Sequence, residues 1–136
     1  MLDVLESHAK KISIVSPWVL AARLEETGIL DAMAEARSRG VEVEVYLDPK
    51  LSKGNLEEAE ASLSRAGAAT CKVVGLHSKI VLKDSEVLAV GSFNWLSAQR
   101  SGSYVRHETS MVYRGAHLSE EIEKVLASLR QRVVNR

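Results

Sequence analysis

Between Ile12 and Val74, β-rich runs and stretches of helical period take turns, and this order limits the possible folds more than any other feature of the chain. Ile12-Ser13-Ile14-Val15-Ser16 is a β-rich run, and Pro17 closes it because proline has no N–H to continue a ladder. Residues 27–39 read as a helix carrying Ile29, Leu30, Met33, Ala36 and Arg37, with Gly40 as its stop. Val41, Val43 and Val45 then alternate with Glu42 and Glu44, which predicts a strand ending at Asp48-Pro49. Residues 55–66 predict a second helix, with Asn55 as N-cap and Gly67 as stop, and Ala69 to Val74 predicts another strand. Strands alternating with helices in this way argue for a partly parallel sheet covered by helices.

The rest of the chain adds antiparallel elements. Leu76–Leu82 and Val87–Val90 predict two strands joined by Lys83-Asp84-Ser85-Glu86, a length that suits a hairpin loop. Ser110–Tyr113 predicts a further short strand. Leu118–Val133 predicts an amphipathic helix with Ile122, Val125, Leu126 and Leu129 on one stripe, Ser119 as its cap, and Glu120 and Glu121 in its first turn. Leu2, Leu5 and Ala9 suggest a short helix near residues 2–10. The expected fold class is α/β, a mixed and mostly parallel central sheet flanked by helices on both faces. With 136 residues and no linker or low-complexity tract, residues 1–136 read as one domain, either alone or excised from a larger protein.

Composition narrows the partners. Eighteen basic and eighteen acidic residues cancel, so nucleic-acid binding would need a local basic cluster or a neighbouring domain. No apolar run approaches the ~18 residues of a membrane span, and Met1 to Lys11 has no secretory pattern. Cys71 is the only cysteine, which excludes an intramolecular disulfide and fits a cytoplasmic location.

The segment richest in chemistry runs from Leu76-His77-Ser78-Lys79 to Gly91-Ser92-Phe93-Asn94-Trp95. On a strand His77 and Lys79 share one face, so both reach one anionic group. Gly91-Ser92 reads as the end of the neighbouring strand and the start of a short helix, whose free backbone N–H groups suit phosphate. Asn94 adds an amide donor. If the two strands pair, a nucleophile, a cation and several donors surround one phosphate-sized space, the set that phosphoryl transfer requires.

This string resembles the signature of the phospholipase D superfamily: histidine-x-lysine, four residues, aspartate, six residues, glycine-serine-x-asparagine. His77, Lys79, Asp84, Gly91, Ser92 and Asn94 fill every specified position. The resemblance spans roughly residues 10–135 and implies the phospholipase D-like fold. It also implies two-step covalent catalysis, in which one histidine attacks phosphorus and forms phosphohistidine while a second protonates the leaving alcohol and then activates water. The family pattern requires no metal or other cofactor. In its nuclease members a carboxylate following the asparagine orients the nucleophile, and Glu108 is the candidate here, although the preceding loop Leu96–Arg106 is slightly long. Asp84 is expected to anchor the motif loop or the dimer rather than touch substrate. Because the sequence holds one copy of the motif and the mechanism needs two histidines, a homodimer with the site on its two-fold axis is the expected arrangement.

A zinc site from His77, Asp84, His107 and Glu108 matches no familiar ligand spacing. Ser92 lacks the following glycine that a nucleophile elbow needs. Trp18 either stacks on a base or packs, and the Arg100–Arg106 loop either grips a nucleic-acid backbone through Arg100 and Arg106 or is a solvated loop. The expected function is an endonuclease acting on DNA or RNA, delivered in one scenario by a larger parent protein such as a helicase. The alternatives are a phospholipid phosphodiesterase or phosphatidyl transferase, disfavoured by the lack of a basic amphipathic face for stable membrane association, and a catalytically inactive binding or dimerisation module.

Overall fold

The computed structural model describes residues 9–17, 19, 24, 28–50, 56–76, 79–84, 87–91, 110–115 and 118–134. Among the described residues six strands form one sheet: β1 (Lys11–Val15), β2 (Glu42–Leu47), β3 (Ala69–Lys72), β4 (Ile80–Lys83), β5 (Val87–Gly91) and β6 (Ser110–Arg114). Their spatial order is β3-β2-β1-β4-β5-β6. β1 pairs parallel with β2 and β2 parallel with β3, whereas β1–β4, β4–β5 and β5–β6 are antiparallel. Four strands, β1, β2, β3 and β5, therefore run in one direction, and the sheet is mixed but mostly parallel as expected.

Helices α1 (Ile29–Ser38) and α2 (Leu56–Arg65) cover one face, and α3 (Ser119–Gln131) covers the other. Strand alternation separates the two cores. Ile12, Ile14, Val43, Val45 and Leu47 pack with Met33, Ala36, Ala59 and Leu63 of the first two helices. Val15, Tyr46, Ile80 and Leu82 pack with Ile122, Leu126 and Leu129 of α3. The α1 stripe Ile29, Ala32, Met33 and Ala36 is buried at the spacing a helix face demands.

Both stops expected at glycine are present. Gly40 and Gly67 adopt φ of 85° and 87°, a region open to glycine at little cost. Each closes its helix with a paired motif: Gly40 N–H to Arg37 O with Val41 N–H to Ala36 O, and Gly67 N–H to Ser64 O with Ala68 N–H to Leu63 O.

Three expectations need correction. The strand expected from Leu76 begins only at Ile80. Its partner β1 ends at Val15, opposite Ile80, and Pro17 two residues on cannot donate to a longer ladder. The loop between β4 and β5 has three residues rather than four, because Lys83 pairs with Val87. Ser119 lies inside α3, and the capping position belongs to Leu118, whose side chain is buried and makes no capping hydrogen bond. The Asn55 cap lies outside the described residues; of the helix expected over residues 2–10, only Ala9 and Lys10 are described, and neither is helical.

Candidate active site

The sheet has two chemically different ends. The first gathers the carboxyl ends of β1, β2, β3 and β5 with the amino end of β4. Lys79, half-buried, immediately precedes β4 there. Ile80 pairs with Val15 and with Val90, so Lys79 stands level with Ser16 on one side and with Gly91 on the other. Gly91 in turn pairs with Ser110 of β6. Lys79 and Gly91, from opposite halves of the motif, thus stand at the same end of the sheet. His77, Ser92, Asn94, Glu108, Trp18, Arg100 and Arg106 lie outside the described residues. The start of β4 at Ile80 removes strand alternation as the reason for His77 and Lys79 to share a face.

Asp84 sits at the opposite end. Its Oδ1 accepts the Lys10 and Lys11 N–H groups, both at 2.9 Å, and its own N–H donates to Lys11 O at 2.9 Å. The residue turns with φ 49°, a left-handed conformation that aspartate tolerates better than most side chains. Asp84 therefore ties the β4–β5 loop to the start of β1, four residues of strand away from Lys79.

A polar group that sequence reasoning missed lies at the Lys79 end. Asp48, just past β2, is 4% exposed. Its Oδ2 accepts Gly75 N–H at 2.8 Å and Leu76 N–H at 3.2 Å, and its Oδ1 accepts Lys50 N–H at 2.9 Å. From sequence, Asp48-Pro49 reads only as the end of a strand. The available signal is a carboxylate at the carboxyl end of a buried strand, where open α/β sheets build their sites.

A second polar cluster lies mid-sheet beneath α3. Glu44 Oε1 accepts Ser13 Oγ at 2.9 Å and Tyr46 Oη at 3.0 Å, and Lys11 Nζ lies 3.4 Å away. Burial, reinforced by the Glu44 charge, raises the Tyr46 hydroxyl well above its ordinary pKa, so it remains a proton donor. Burial and Glu44 also push the Cys71 thiol up, which leaves it protonated and poorly nucleophilic. Among the described residues no group of three or more His, Cys, Asp or Glu is placed to hold a metal ion, and of the zinc set considered from sequence only Asp84 is described. No helix among the described residues is long and apolar enough to cross a membrane.

Comparison with known proteins matches this arrangement to one family. The family model described as cardiolipin synthase, PLD-like domain, matches residues 1–130. No curated protein matches the chain. Among solved structures, Nuc of Salmonella typhimurium, a phospholipase D family member, superposes with a TM-score of 0.75 at 18% identity, covering 98% of this chain and 86% of its own. TrmBL2, an archaeal chromatin protein with a novel mode of DNA binding, gives 0.66 at 12% identity over 99% of this chain and 48% of its own. Polyphosphate kinase of Porphyromonas gingivalis gives 0.67 at 14% identity over 98% of this chain and 24% of its own. These likenesses establish the fold that the chain shares with them.

Proposed function

The chain belongs to the phospholipase D-like family, one of phosphodiesterase-type enzymes, and from that premise we propose that it is a metal-independent endonuclease working as a homodimer. The observation that carries the reading is the complete signature His77, Lys79, Asp84, Gly91, Ser92 and Asn94 at family spacing. The fold alone would not suffice, since folds host unrelated functions.

In this mechanism the His77 imidazole of one copy attacks phosphorus. The P–O bond to the leaving alcohol breaks as the N–P bond forms. The second copy's imidazole gives its proton to the departing oxygen. That neutral imidazole then takes a proton from water, whose oxygen attacks the phosphohistidine and restores the free nucleophile. Lys79, the Gly91-Ser92 backbone and Asn94 stabilise the charge on the non-bridging oxygens. Glu108 orients the nucleophile. Trp18, Arg100 and Arg106 are the candidate contacts to the rest of the nucleic acid.

DNA binding by the structural neighbour TrmBL2 supports a nucleic-acid substrate. The cardiolipin synthase description of the matching family favours a second reading, phosphatidyl transfer or phospholipid hydrolysis. One assay panel separates them: single- and double-stranded DNA, RNA and a phosphatidylcholine reporter, each with and without EDTA. EDTA-resistant cleavage of nucleic acid is expected, and His77→Ala is expected to abolish it while the dimer persists in sedimentation. Lipid turnover alone would transfer the assignment to the second reading. Full activity in His77→Ala would remove the nucleophile.

A further inference from the structure

The backbone leading into residue 77 is held from two sides. On the inner side, Leu47 O at the end of β2 accepts Val73 N–H at 2.8 Å. One residue further on, the Asp48 carboxylate accepts Gly75 N–H at 2.8 Å and Leu76 N–H at 3.2 Å. On the outer side, Arg132 Nη2 donates to Val74 O at 3.3 Å, and Val134 N–H donates to Lys72 O at 2.9 Å. Every residue from Lys72 to Leu76 is therefore bonded either to the end of β2 or to the segment after α3. Leu76 itself is 2% exposed and belongs to the α3 core.

Burying a carboxylate costs free energy unless donors replace its water. Here three backbone N–H groups do so, and two of them belong to the residues directly before position 77. Apolar packing could hold such a loop in place only approximately. Hydrogen bonds to a charged acceptor are short and directional, and they fix backbone position more tightly.

We infer that Asp48 is a positioning residue for the nucleophile: its carboxylate fixes the Gly75-Leu76 backbone, and with it the point from which the His77 imidazole attacks. The inference rests on the proposed phosphodiesterase reading. Asp48 acts through the main chain and touches no substrate. Asparagine cannot replace it, because an amide has one acceptor oxygen and an NH₂ group. One set of backbone donors, Lys50 or the Gly75-Leu76 pair, would then face another donor.

The test compares wild type, Asp48→Asn and His77→Ala on whichever phosphodiester the wild type turns over, with amide hydrogen exchange measured on all three. Displacing a reacting group by about 1 Å can cost on the order of 10²-fold in rate, so kcat of Asp48→Asn is expected to fall roughly 10- to 100-fold. KM is expected to stay within about twofold, because binding is not what the anchor serves. Exchange at Gly75 and Leu76 is expected to accelerate while β1 and β2 amides keep their protection. Wild-type kcat together with wild-type exchange in Asp48→Asn overturns the inference. If that variant does not fold, the wild type decides: its Gly75 and Leu76 amides are expected to exchange as slowly as those of Val45 and Leu47, and free-peptide rates there overturn the anchor. An inactive wild type, or a fully active His77→Ala, counts against the phosphodiesterase reading instead, and exchange at residues 75–76 then decides the anchoring alone.

Discussion

Tyr46 and Cys71 hold their protons more tightly in the fold than in the unfolded chain, because burial and the Glu44 charge disfavour their anions. The sign of the resulting pH dependence follows. Stability from such groups is complete below their ordinary values of 9.0 for the thiol and 10.0 for the phenol, and it is lost as pH rises above them. Urea midpoints are therefore expected to hold level up to about pH 9 and then fall, by at most about 1.4 kcal/mol per pH unit for each group. Tyr46→Phe should be less stable at neutral pH by about 1 kcal/mol, having lost its bond to Glu44. Its alkaline decline should nevertheless be shallower than wild type's. An equal decline would mean that the phenol is not the group titrating. Asp84, at the far end of β4, serves the backbone instead. Asp84→Ala leaves the exposed Lys10 N–H to water and the part-buried Lys11 N–H without its acceptor, and is expected to cost about 1 kcal/mol in unfolding experiments. Asp84→Asn keeps one acceptor oxygen and should cost less. Well below the unfolding temperature, turnover by Asp84→Ala should stay near wild type. A large loss of kcat there would mean that Asp84 reaches the chemistry after all.

Among the described elements, α3 is the one that covers the second face of the sheet, and Ile122, near its start, is 0% exposed in a cluster with Val15, Tyr46, Leu82 and Leu126. Ile122→Ala is expected to cost about 2–5 kcal/mol, read as a drop in denaturation midpoint with an unchanged dependence on urea. The ends of α1 and α2 were legible in the sequence because Gly40 and Gly67 encode them locally, through a left-handed backbone and two hydrogen bonds each. The valine-glutamate alternation of β2 was legible for the same reason, since its two faces meet chemically different layers. What escaped depends on partners distant in sequence. The start of β4 is set by where β1 ends, 65 positions earlier as Val15 pairs with Ile80. The bond from Asp48 to Gly75 spans 27 positions, and no local pattern announces it. Leu118 takes the cap position of α3 because the core admits its side chain, a tertiary preference overriding the local claim of Ser119. The motif was legible as spacing, and the fold brings Lys79 level with Gly91, whereas Asp84 belongs to the opposite end of the sheet.

For the whole molecule, the sequence holds one copy of the motif, so under the proposed mechanism each chain supplies one of the two histidines that the chemistry uses. The chain spans most of Nuc but only about half of TrmBL2 and a quarter of polyphosphate kinase, so the same fold is used both nearly alone and as part of longer chains. If two copies complete one site, a defect in either copy disables both. Wild-type and His77→Ala chains, mixed in equal amounts and refolded together, should pair at random. Roughly half of the wild-type chains then sit in mixed dimers that hold one nucleophile and no acid. Activity per wild-type chain is expected to fall to about half, and to continue towards zero as His77→Ala is added in excess. A chain with its own complete site would keep its activity per wild-type chain at every mixing ratio. Subunit exchange must be verified in the same samples, by mass of a tagged partner, because unexchanged dimers would imitate independence. A flat response after verified exchange would exclude the shared site, while leaving open a histidine chemistry confined to one chain.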